Sequence, residues 1–79
     1  MQAEQIQSLI ENVIADADVS VTIDGSHAHL DVVSDAFEGL NAVKRQQLVY
    51  GALQALIASG ELHAVHMKTK TRAEQAVKA

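Results

Sequence analysis

Seventy-nine residues with 48% apolar side chains suffice for one small domain with a modest core, spanning residues 1–79. The chain has no cysteine, which excludes disulfides and any thiolate metal site made by this chain alone. No run approaches the ~20 apolar residues that span a membrane, and a net charge of -4 argues against a bulk nucleic-acid binder.

Met1-Gln2-Ala3-Glu4-Gln5 places no basic region ahead of an apolar stretch, so no signal peptide is expected and the cytoplasm is the default location. Ile6, Leu9, Ile10, Val13 and Ile14 recur at helical spacing, which predicts a helix from Ala3 to Ala15. Asp16-Ala17-Asp18 breaks it. Val19, Val21 and Ile23 then alternate with polar residues, the pattern of a half-buried strand. Asp24-Gly25 signals a hairpin turn, with Ser26 available to lengthen it. The second strand sets Ala28, Leu30 and Val32 on one face and His27, His29 and Asp31 on the other.

A connector containing Phe37-Glu38-Gly39 leads to Asn41, a helix N-cap candidate. Val49, Leu53, Leu56 and Ile57 share a face of the helical stretch that follows. Gly51 sits mid-way and is a point at which this stretch can kink or divide. Ser59-Gly60 stops it. His63 to Thr69 reads as a third strand, and Thr71-x-x-Glu74 as a capping box opening a last helix.

The order α-β-β-α(α)-β-α predicts an α+β fold, a three-stranded mixed sheet with helices packed on one face. A single crossover helix makes strands two and three parallel, whereas two helices folded back on each other do not. Parallel pairing starts His27 and His63 at the same end of the sheet. Imidazole is a common metal ligand, but two of them make half a site, and a partner must supply the rest. The spacing alone fits solvated histidines as well. His63 also shares strand parity with Val65 and Met67, so it is available only where the chain turns at the strand's start. His29 and His66 read as exposed positions on the open face.

No Ser/His/Asp or Cys/His set and no phosphate-cradling loop is visible, so no enzyme is expected. All six basic residues lie beyond residue 40: Lys44, Arg45, Lys68, Lys70, Arg72 and Lys78. Lys44-Arg45 offers a contact for phosphate or an acidic partner, against the simpler reading of a solvated helix face.

Four segments together resemble the BolA family, particularly its IbaG-like branch, over nearly the whole chain. They are Asp24-Gly25-Ser26-His27, Phe37-Glu38-Gly39, the run Val43-Lys44-Arg45-Gln46-Gln47-Leu48-Val49-Tyr50-Gly51, and Leu62-His63-Ala64-Val65. The resemblance implies a class II KH-like (BolA-like) fold. It further implies a partner protein that pairs with a monothiol glutaredoxin, shares a [2Fe–2S] cluster and serves iron–sulfur trafficking, iron or redox regulation, or a stress response. The cluster exists only with the glutaredoxin and glutathione, and the isolated chain, a monomer or weak homodimer, carries no cofactor. The family's invariant histidine matches His63, and its second ligand, usually a histidine or cysteine in the hairpin loop, matches His27. Histidine binds metal when neutral, so ligation weakens as pH falls.

Candidate partner or nucleic-acid contacts are Lys44, Arg45, Phe37 and Gly39. The alternative function is a nucleic-acid-binding transcriptional regulator on the KH-like fold. Against it, the basic–His–basic trio of many family members reads Arg45-Gln46-Gln47 here, and a Gly-x-x-Gly loop is missing.

Overall fold

The computed structural model describes residues 2–77, so Lys78 lies outside the described residues. Helix α1 runs Ala3–Val13 and ends two residues before the predicted Ala15. Ile14 is already extended, and Asp16 takes a positive φ of 51°, which no helix continues through. Strands β1 (Asp18–Asp24) and β2 (His27–Val33) form an antiparallel hairpin with Asp24 opposite His27. Its two-residue loop is Gly25-Ser26. Gly25 stands first, with φ 63°, where such turns need a residue without a Cβ.

A short 3-10 turn, Asp35–Phe37, follows β2. Helix α2 then runs Ala42–Ala58 without interruption, so Gly51 does not divide it. Asn41 caps it, its side chain accepting a hydrogen bond from the Lys44 amide at 2.9 Å. Its buried face is Val49, Ala52, Leu53 and Leu56. Ile57, predicted on that face, is 40% exposed: it falls past the edge of the stripe that the sheet covers, and Ala52 fills the inner position. Strand β3 is Ala64–Lys70, beginning one residue after the predicted start. Helix α3 (Arg72–Val77) opens with the predicted capping box. The Thr71 amide donates to Glu74 Oε1 at 2.9 Å, and the Glu74 amide donates to Thr71 Oγ1 at 3.1 Å.

The sheet order is β1-β2-β3, with β2 and β3 parallel, as a single crossover helix requires. β2 is central, and its side chains alternate from His27 to Val32. Ala28, Leu30 and Val32 are buried under α1 and α2 with Ile6, Ile10, Ile14, Phe37, Leu53 and Leu62. His27, His29 and Asp31 stand on the opposite, solvent-facing side. The sheet thus buries one face and leaves the other open.

Candidate functional site

Because β2 and β3 are parallel, both begin at one rim of the sheet. There His27 pairs with Ala64, and the His63 amide donates to the Ser26 carbonyl at 2.9 Å. From the other direction, Leu62 is 1% exposed and its amide donates to Leu56 O at 3.2 Å. His63 is therefore fixed by backbone on both sides while its ring stays exposed. The parity problem disappears because the strand starts at Ala64, leaving His63 in the turn that leads into it. Among the described residues the His63 ring makes no hydrogen bond. Its Nε2 lies beside Gly60, where a Cβ would come within 4.0 Å.

The structure brings positions 27 and 63 together through the backbone but gives their rings different neighbours. His27 projects to the open face, its ring centroid 6.1 Å from that of His66. His66 stacks more closely on His29, at 4.8 Å with the ring planes 12° apart. His63 has the opposite parity and lies by the end of α2. One site using both His27 and His63 requires the His27 ring to leave His66, a side-chain rotation that its exposure permits. Among the described residues, no three His, Cys, Asp or Glu side chains converge to hold a metal ion. A cluster bound here needs further ligands from elsewhere, and exposed imidazoles whose nitrogens are not spent on internal hydrogen bonds suit that half-site.

The other predicted contacts lie at the opposite end of the sheet or beyond it. Phe37 is fully buried and offers a partner no surface. Arg45, expected on a solvated or partner-facing helix surface, is spent inside the protein, because its guanidinium reaches three internal acceptors. Nε donates to Leu40 O at 2.9 Å, Nη1 to Glu74 at 2.6 Å and to Thr69 O at 3.4 Å, and Nη2 to Glu74 at 3.1 Å. The side chain is only 13% exposed, with the guanidinium 5.8 Å from the Phe37 ring centroid. Its hydrogen bonds, with help from the Thr71 amide, hold the Glu74 carboxyl at about 2, well below the ordinary carboxylate value. Gly39 and Lys44 remain exposed; Gly39 carries the positive φ of 78° that the connector's turn requires.

The family described as BolA-like protein matches residues 6–74. The chain belongs to the BolA-like family. It is 42% identical over 76 residues to the acid stress protein IbaG of Escherichia coli, covering 96% of this chain and 90% of that one. A BolA homologue from Coxiella burnetii superposes with a TM-score of 0.83 at 34% identity, covering 96% of this chain and 97% of that one. The BolA domain of SufE1 from Arabidopsis thaliana gives 0.80 at 36% identity, covering 91% and 93%. This BolA-like chain thus has the family's α+β fold. No helix among its described residues is long and apolar enough to cross a membrane.

The sequence did not point to the pairing of Arg45 with Glu74 or the stacking of His29 on His66. Both depend on which residues of separate elements come opposite each other. The His29–His66 alignment follows directly once the parallel register is known.

Proposed function

We propose that this BolA-like chain is a non-enzymatic, cytoplasmic partner of a monothiol glutaredoxin, completing a shared [2Fe–2S] site through His63, with His27 as second ligand. The observation that carries this reading is the His63 ring: rigidly placed by its backbone, exposed, and unspent on internal hydrogen bonds. The chain has no thiolate, so the sulfur ligands come from a glutaredoxin cysteine and glutathione. Imidazole in place of thiolate makes the site less negative and raises its reduction potential. The role is iron–sulfur trafficking or iron and redox regulation, and the E. coli relative's name supports a link to stress.

Co-expression with a monothiol glutaredoxin tests it. A coloured heterodimer is expected, with visible absorption and circular dichroism unlike those of the glutaredoxin homodimer. His63→Ala removes that difference, and an unchanged spectrum in the variant rejects His63 as a ligand. The nucleic-acid reading is weakened by the capture of Arg45 in the Glu74 pair.

A further inference from the structure

His29 and His66 stand away from His63, on the open face of the two strands that form the parallel seam, with the His27 ring 6.1 Å from that of His66. They are direct register partners, both exposed, with ring centroids 4.8 Å apart. They sit in a shallow groove of about 420 Å³ whose other walls include Ser20, Thr22, Asp31 and Lys68.

We propose that His29 and His66 form a two-imidazole chelate for a nitrogen-preferring divalent transition metal ion on the open sheet face, distinct from any site at His63. Neutral imidazole suits copper, nickel and zinc, and water fills the remaining coordination positions. Adjacent paired strands fix the two Cα positions, so the second imidazole is already close when the first one binds. That raises its effective concentration far above that of a free ligand.

Neither ring makes a hydrogen bond among the described residues, so each can turn to converge its nitrogen on a shared ion. The rings now lie nearly parallel, and convergence requires that turn. Ser20 and Thr22 hydroxyls and the Asp31 carboxylate line the groove, where they can orient the bound waters. Lys68 is the register partner of Asp31, which places opposite charges side by side and offsets the repulsion its ammonium exerts on a cation. The protein's net charge of -4 favours a cation overall.

The test is a titration of the untagged, isotope-labelled chain with nickel(II) chloride, read by NMR line broadening and by calorimetry. Saturable binding is expected, with the amides around Thr22, His29, His66 and Lys68 broadened first. His29→Gln and His66→Gln each remove one of the two proposed ligands and weaken binding by roughly tenfold or more, whereas His27→Gln, which changes the neighbouring imidazole, weakens it by no more than about twofold. Both changes are at exposed positions, and far-UV circular dichroism checks that the variants fold. His63→Ala leaves nickel affinity within about twofold. Nickel binding that survives both glutamine variants, or that disappears with His63→Ala, overturns the proposal. Neither result bears on the glutaredoxin spectrum, so the two readings fail separately.

Discussion

The two ends of the sheet use their polar side chains in opposite ways. Where β2 and β3 finish, the side chains of Ser34, Arg45, Arg72 and Glu74 are committed to the fold. The Ser34 amide donates to Lys70 O at 2.9 Å, and its hydroxyl donates to Ala15 O at 2.6 Å while accepting from the Ala36 amide. Arg72 bonds Asp18 at 2.6 Å and the Asp16 carbonyl, and its amide donates to Asp35. Arg45 and Glu74 lock α2 to α3. Among the described residues no buried side-chain nitrogen or oxygen lacks a partner. Where β2 and β3 begin, the buried Leu62 side chain and the backbone bonds of Leu62 and His63 hold the chain, and the imidazoles of His27 and His63 stay exposed. Stability is built at the end that consumes side chains, and the end that spares them is the one to which the proposed function assigns binding.

That contrast breaks first at Phe37. Truncation to Ala empties a fully buried ring site and costs about 3–5 kcal/mol, measured by urea denaturation; a loss below about 1 kcal/mol contradicts the assignment of stability to this end. Ser34→Ala comes next. It removes a buried hydroxyl that caps the 3-10 turn through the Ala36 amide and bonds the Ala15 carbonyl, and the expected cost is about 0.5–2 kcal/mol.

Acid probes the same end more gently. Glu74 titrates at about 2 in the folded chain, against an ordinary 4.5. The stabilisation from its pair with Arg45 is therefore fully present above the ordinary value and disappears as pH falls from there through about 2. Glu74→Gln lowers the melting temperature slightly at neutral pH, and its gap from the unsubstituted protein closes over that acid window. A gap that does not vary with pH contradicts the role given to the ion pair. The smallest effect belongs to the rim: His63→Ala and His27→Ala each change stability by no more than about 0.5 kcal/mol. A larger loss on thermal unfolding shows that the rim imidazoles also serve the fold.

Much of this architecture is legible in residue spacing. The period of α1, the alternation in β1 and β2, the Asn41 cap and the Thr71–Glu74 box each depend on neighbours close in sequence. The parallel seam follows from one crossover helix. Spacing does not reveal where a strand's first bond forms, and His63 lies one residue outside β3 for that reason. It also does not reveal which distant carbonyls a guanidinium reaches. Arg45 therefore reads as a surface charge until α2, β3 and α3 are assembled around it. The ring directions of His27 and His63 are equally invisible, since strand parity and a turn combine to separate them.

The parallel seam also sets an order of assembly. The hairpin closes over two residues, whereas β3 can dock only after the chain has travelled the length of α2. Loop-closure entropy delays that long-range pairing, and with no proline in the sequence no isomerisation step obscures the delay. Pulse-labelling hydrogen exchange during refolding should protect the β1–β2 amides before that of His63. The rim where Ser26 meets His63 is then a late product of folding, so a nascent chain stalled before β3 has not yet brought positions 27 and 63 together, and the proposed cluster site waits for that strand.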